Sequence, residues 1–145
     1  MTVLIRQVGP GDEALFDRIA PDVFDEPVQL DRLAAYLREP GHHMLVGLKD
    51  GQVVAQCAAV VHRHPDKPAE LYIDEVGVTP ALQRRGIARA MVSEILRLGR
   101  ALGCDESWVG TEYDNDAARA LYRGRGGEEA PFVMYQFDLQ EEQSE

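Results

Sequence analysis

Apolar and polar positions alternate from Val3 to Val8 at the spacing of a half-buried strand, and the following "GPGD" breaks the run and offers Asp12 as a helix N-cap. A helix is predicted next, with Leu15, Ile19 and Phe24 as a weak apolar side interrupted by Pro21. "FDEPVQLDRLAAYLREPG" predicts a second helix through Leu30, Leu33, Ala34 and Leu37, stopped by Pro40 and Gly41. "HHMLVGLKDGQVVAQCAAVVHRH" holds a pair of β-type runs around Asp50 and Gly51, a hairpin signal. After the proline-bearing loop "HPDKPAE", "LYIDEVGV" is a further β-type run, closed by Pro80.

Ile87, Met91, Ile95, Leu98 and Leu102 then follow one another at helical steps, a continuous stripe that predicts a helix packed on a sheet and ended at Gly103. "ESWVGT" predicts a short strand, Asn115 caps the helix "DAARALYRGRG", whose Ala118, Leu121 and Tyr122 share a face, and "FVMYQFDL" predicts a last strand before an acidic tail. The order β, α, α, β, β, β, α, β, α, β predicts a mixed α/β domain with a largely antiparallel N-terminal half, spanning residues 1–145 as one unit.

Composition narrows the partners. With no apolar run near the roughly 18–20 residues that span a bilayer, and no signal-peptide pattern, a soluble cytoplasmic protein is expected, with no membrane partner. Cys57 and Cys104 form no CxxC or Cys/His cluster and are expected as buried free thiols. His42, His43, His62 and His64 lack a third ligand at a recognisable spacing, so no metal site is expected. A formal charge of −10 argues against general nucleic-acid binding. The charge is uneven: Arg84 to Arg100 carries five arginines against Glu94, a net +4, whereas Asp105 to Glu145 carries a net −8. Such patches concentrate ligands of opposite sign, here an anion and a cation at one site.

The anion site is legible. Strand, glycine-bearing turn and helix start make a ready anion site, because the first helical N–H groups lack intrahelical partners and the dipole is positive there. The turn is Gln83, Arg84, Arg85, Gly86, Ile87, Ala88, with Arg89 close behind. Neither GxxxxGK[ST] nor GxGxxG is present, which sets aside the Walker and dinucleotide loops.

"QRRGIA" resembles the Q/R-x-x-G-x-G/A pyrophosphate motif of the GNAT N-acetyltransferase superfamily, with alanine in the last place. "VGVTP" is similar to that superfamily's strand end that holds the pantetheine arm, and "NDAARALY" to its later helix with a tyrosine near the CoA sulfur. Within the superfamily, "ELYIDEVGVTPALQRRGIARAM", "TEYDNDAARALY" and "VMYQFDL" resemble the small aminoglycoside 3-N-acetyltransferases. Gly127 departs from the larger hydrophobic or aromatic residue usual at its place. The resemblance implies a GNAT-like fold, a mostly antiparallel twisted sheet flanked by helices, with acetyl-CoA as co-substrate and a homodimer. Val76, Gly77 and Val78 would hold the pantetheine arm, residues 83–89 the pyrophosphate, and Asn115, Ala118 and Tyr122 would flank the cofactor from the later helix.

Transfer from a thioester to an amine needs an uncharged amine, alignment, stabilisation of charge on the acyl oxygen and a proton for the leaving thiolate. Asp74 and Glu75 interrupt an apolar strand, a costly arrangement unless it opens onto a cleft, and alternation puts them on opposite faces. The resemblance makes Glu75 the general base, with Asp74 in reserve, and puts the Tyr122 hydroxyl near the sulfur; a backbone N–H at Val76 meets the acyl oxygen. Glu112, Tyr113, Asp114 and Asp116, with Asp138, Glu141 and Glu142, supply an acidic side for a polycationic acceptor, and Asp25 and Glu26 an opposite wall. The leading expectation is acetylation of an aminoglycoside at its 3-amino group, conferring resistance. A polyamine, protein N-terminus or lysine is the alternative acceptor, and a non-catalytic acyl-CoA-binding module the reading from another class.

Overall fold

The structure, a computed structural model, describes residues 2–140. Strands β1 (Leu4–Val8), β2 (His42–Lys49), β3 (Gln52–His62), β4 (Glu70–Val78) and β5 (Glu106–Trp108) form one sheet in that order. The first four are antiparallel neighbours, and β5 joins β4 in parallel. The helices are α1 (Leu30–Arg38), α2 (Ile87–Ala101) and α3 (Asp116–Gly124). This is the mixed α/β architecture, a mostly antiparallel sheet with helices, that the element order predicted.

The β2–β3 hairpin turns at Asp50 and Gly51, both at positive φ (52° and 76°) as a tight hairpin requires. Its strands carry the centre of the core, where Val46, Val53, Ala55, Cys57 and Ala59 are fully buried. Helix α2 covers one face of the sheet through Ile87, Met91, Val92, Ile95 and Gly99. The apolar stripe ends on Gly99 rather than Leu102, which is 37% exposed. A Cβ at Gly99 would lie 2.8 Å from Leu71 Cδ2, so the glycine lets helix and strand approach closely. Each fully buried aliphatic side chain here contributes roughly 1.5–3 kcal/mol.

Four expected elements differ. The first helix is only a 3-10 turn, Glu13–Asp17. Asp12 precedes it, but its carboxylate turns back to accept from the Gly9 N–H and Arg6 rather than capping the turn. Residues 18–20 are drawn out along β3 instead, with Ala20 N–H donating to Val53 O and Val53 N–H to Arg18 O, so the sheet edge outcompetes a weak helix. The second helix starts only at Leu30, after the extended Pro27–Gln29 stretch. The last expected strand, within "FVMYQFDL", forms no regular structure. A three-residue β5 stands where six residues of strand were expected.

Candidate active site

Strands β4 and β5 are paired from Glu70–Tyr72 to Glu106–Trp108; beyond Tyr72 they part, and among the described residues the second half of β4 has a strand neighbour on the β3 side alone. Thr79 N–H donates to Val54 O of β3. Because peptide groups alternate in direction along a strand, Val78 and Val76 turn their N–H groups the other way, into the gap. Val78 O also points away from β3, accepting from Gln83 Nε2 at 3.1 Å. The Val76 N–H, expected to meet the acyl oxygen, is thus turned away from β3.

The gap leads to the start of α2. Arg84 and Gly86 both lie in the left-handed region, at φ 64° and 81°. No side chain caps the helix. A Cβ built on Gly86 would meet nothing within 4 Å, so the approach is open. Gln83, Arg84, Arg85, Gly86 and Arg89 are exposed around this end, while Ile87 is buried beneath it and Ala88 lies half-buried. An uncapped helix end ringed by arginines fits a pyrophosphate.

On the far side of β4, residues 21–26 form a loop that rests on the strand. Thr79 Oγ1 donates to Pro21 O at 2.8 Å, and Gln56 Nε2 to Val23 O at 3.3 Å. Gly77 lies directly under Val23, whose carbonyl oxygen would be 2.3 Å from a Cβ at that position. These contacts hold Asp25 and Glu26, both exposed, above the strand.

Glu75 is half-buried. Burial pushes its carboxyl up from the ordinary value, the Asp25 and Asp74 charges add to this, and hydrogen bonding from the Gln56 amide opposes it. A β-bulge interrupts the register here: Ala58 pairs with Glu75 and Ala59 with Ile73, so Asp74 is the extra residue. The strict alternation expected for the acid pair is therefore broken, and exposed Asp74 shares the electrostatic surroundings of Glu75. Tyr36 of α1 belongs to the same neighbourhood. Burial first, then the charges of Asp74 and Glu75, raise its phenol well above the ordinary range, and its hydroxyl donates to His43 O at 3.4 Å.

Tyr122 is half-buried on α3, with its hydroxyl pKa raised chiefly by burial and then by Cys57. Cys57 pairs in register with Val76, so Tyr122 approaches the sheet near the middle of β4. Asn115 caps α3 as expected, accepting from Ala118 N–H at 3.1 Å. Gly127 lies at the other end of the helix. With Gly126 at φ 90°, Gly127 N–H bonds to Tyr122 O and Gly126 N–H to Arg123 O, a Schellman closure that calls for glycine at 126, while the place of Gly127 is one where a hydrophobic residue commonly packs back on the helix, so the closure does not explain the glycine there. Burial pushes the Cys57 thiol up to about 12, which keeps it protonated and unreactive.

The expected acidic residues divide. Asp25, Asp74 and Glu75 come together. Glu112, Tyr113 and Asp114 lie exposed ahead of α3 and Asp116 exposed at its first residue, where Arg119 stacks 4.6 Å from the Tyr113 ring and bonds to Tyr113 O. Asp116 acts on Arg119 there, not on Glu75. Asp138 lies in the exposed C-terminal segment, accepting from Gln140 N–H; Glu141 and Glu142 fall outside the described residues. Gln56 and Tyr36 were not expected at the site. The signal for Gln56 was present, since it is the sole polar interruption of the apolar run "VVAQCAAVV", and it is fully buried.

Residues 13–126 match the Acetyltransferase (GNAT) family. The chain belongs to this family. GNAT acetyltransferases use acetyl-CoA, and the gap beside β4 and the open α2 terminus suit its arm and pyrophosphate. Among relatives of this GNAT protein, the N-alpha-acetyltransferase RimI of Mycobacterium tuberculosis is 35% identical over 95 residues, 64% of this chain and 58% of that protein. The aminoglycoside N(6′)-acetyltransferase type 1 of Salmonella typhimurium is 23% identical over 116 residues, 77% of this chain and 73% of the relative. The crystal structure of an aminoglycoside acetyltransferase from an uncultured soil metagenomic sample superposes with a TM-score of 0.80 at 22% identity, covering 96% of this chain and 99% of the other.

Proposed function

We propose that this GNAT protein is an acetyl-CoA-dependent N-acetyltransferase acting on an aminoglycoside by direct attack in a ternary complex. The observation that carries the reading is the convergence of Asp25, Asp74 and Glu75 at the open half of β4, beside an uncapped, arginine-ringed helix end. Carboxylates on one side and an anion site on the other suit a polycationic amine meeting a polyanionic acyl donor. The named aminoglycoside acetyltransferase relative supports the acceptor.

Acetyl-CoA supplies the acyl group as a thioester. Glu75, with its carboxyl pKa raised by burial above the ordinary value, takes a proton from the bound ammonium, directly or through one water. Asp25 and Asp74 hold the remaining positive charge of the acceptor. The Val76 N–H donates toward the charge developing on the acyl oxygen. Tyr122, kept protonated by its raised pKa, gives a proton to the departing thiolate. The product amine loses a positive charge, which weakens binding to an anionic RNA and makes the reaction a resistance activity. One acetyltransferase unit over residues 1–145, a cytoplasmic location and a homodimer complete the reading.

The resemblance points to the 3-amino group, whereas the Salmonella relative is named for the 6′ position. Product mapping decides between them. RimI, the relative at 35% identity, favours a second reading in which the acceptor is a protein N-terminus. The test is CoA-thiol release from acetyl-CoA against gentamicin, kanamycin, spermidine and a peptide with a free N-terminus. Turnover confined to the aminoglycosides is expected. Turnover confined to the peptide transfers the assignment to the second reading, and binding of acetyl-CoA without acetylation of any amine removes both.

A further inference from the structure

Tyr72 and Trp108 are the last residues to pair before β4 and β5 part, and they lie opposite each other in register. Their rings stack with centroids 4.2 Å apart and planes 32° from parallel. His62 of β3 packs edge to face with the indole, 6.0 Å between centroids. Two aromatic partners thus hold Trp108 in place, yet it keeps 45% of its surface in water. A cross-strand aromatic pair steadies a short strand, but steadying alone does not call for a large indole left half in solvent.

The bulge at Asp74 decides which side of the sheet the rings occupy. Tyr72 stands opposite Val60 and Glu75 opposite Ala58. Val60 and Ala58 are two residues apart and share a face, so the extra residue puts Tyr72 and Glu75 on that face together, where an unbroken strand would have separated them. Leu71, beside Tyr72, packs on Gly99 of α2, so the shared face is the one turned away from α2. It is also the face on which Val23 rests over Gly77, in the loop that carries Asp25. Two residues of strand place the aromatic pair about 7 Å along the sheet from Glu75. Exposed Asp74 lies between them, and exposed Glu106, two residues before Trp108, lies on the far side of the rings. Glu70, opposite Glu106, is taken up by His64, whose Nε2 is 3.4 Å from its carboxylate.

We propose that the Trp108 indole, backed by Tyr72 and His62, is a stacking platform for a second, non-reacting ring of a cationic amino sugar whose reacting amine lies at Glu75. This rests on the aminoglycoside reading of the acceptor. The C–H face of a sugar ring is apolar, and ammonium groups on the ring make those hydrogens more positive, so the face is drawn to the negative face of an aromatic ring. An indole already fixed by its neighbours loses little side-chain freedom on binding. Asp74 and Glu106, at the two ends of the platform, are placed to meet the ammonium groups of the stacked ring. A linear polyamine satisfies the carboxylates but has no ring to lay on the indole, so the platform selects among polycations that charge alone does not distinguish.

Trp108 is the sole tryptophan of the chain, so tryptophan emission reports on this position alone. With the protein saturated with CoA, kanamycin should change that emission saturably, whereas spermidine, which brings charge without a ring, should leave it unchanged. In steady state, Trp108→Leu should raise KM for kanamycin roughly 10-fold while changing kcat and KM for acetyl-CoA far less, and Trp108→Phe should recover much of the loss. Kanamycin turnover with no change in emission, an equal response to spermidine, or an unaltered KM in a folded Trp108→Leu protein overturns the platform and leaves the aminoglycoside reading standing. Emission that answers a peptide with a free N-terminus and not kanamycin, or kanamycin that is neither bound nor acetylated, overturns the platform together with that reading.

Discussion

The carbonyl oxygen of Val23 sits on Gly77, so close that a Cβ there would stand 2.3 Å away. Backbone lies against backbone at this point, and the loop that carries Asp25 and Glu26, proposed to face the acceptor, is thereby seated on the strand that carries Glu75. Gly77→Ala cannot be relieved by a rotamer change, so the loop must lift. A loss of about 1–3 kcal/mol in unfolding free energy is expected, the usual cost of overpacking. In kinetics, KM for the acceptor should rise more than KM for acetyl-CoA. Equal rises in both would place the loop away from the acceptor.

Glu75→Gln tests the base and carries a sign that separates chemistry from stability. Burial raises the folded pKa of Glu75 above its unfolded value. The folded state therefore holds the proton more tightly, and stability falls as pH rises from the unfolded pKa through the folded one. At neutral pH the carboxylate is a net destabiliser, so Glu75→Gln should raise Tm there while lowering kcat by at least about 100-fold. The gain in Tm should vanish below the unfolded pKa. In the wild type, the acidic limb of kcat/KM should lie above the ordinary carboxylate range. Turnover that survives in Glu75→Gln moves the base to Asp74.

Arg84 is one of the non-glycine residues at positive φ, 64°, at the mouth of α2. Arg84→Gly should relieve a strain of about 1 kcal/mol, offset by roughly 0.5–1 kcal/mol of added chain entropy. Thermal stability is expected close to wild type, while KM for acetyl-CoA rises roughly 10-fold through loss of a charge-assisted contact. That rise should shrink at high salt, which screens the same charge. An unchanged KM would detach the arginine from the pyrophosphate.

Tyr122→Phe removes the hydroxyl proposed as proton donor and keeps the ring. The expected result is a kcat lower by about 100-fold with KM for the acceptor little changed. Any basic limb of the profile should be lost with the hydroxyl. A fall in Tm with unchanged kcat would make Tyr122 a packing residue only.

Much of the site was legible because its parts are local. Helix α2 has its stripe, its start after "QRRG" and its arginines written within twenty residues, and a helix terminus binds anions by its own geometry. Asn115 capping α3 and the turn at Asp50 and Gly51 are likewise decided by side chains that act on their own backbone. Legibility failed where one segment must find another. The Leu15 to Phe24 stretch has helical spacing, yet Ala20 N–H donates to Val53 O and Val53 N–H to Arg18 O across the fold, and residues 18–20 are held extended. "FVMYQFDL" has a strand's pattern, but a strand needs a neighbour, and pattern alone does not supply one.

The sequence by itself determined the chemistry on offer: a basic helix start for an anion, an acid pair in an apolar strand, a tyrosine at helical spacing behind a capping asparagine. Only the tertiary structure decided which of these meet. It brought Asp25 to Glu75 by seating the loop at Val23 on Gly77, left Glu112 and Asp116 around Arg119, and set Gln56 and Tyr36 where no local pattern announced them. The physical reason is range. Capping, periodicity and turn formation act within a few residues, whereas burial, desolvation and charge coupling act between atoms that the chain joins only by folding.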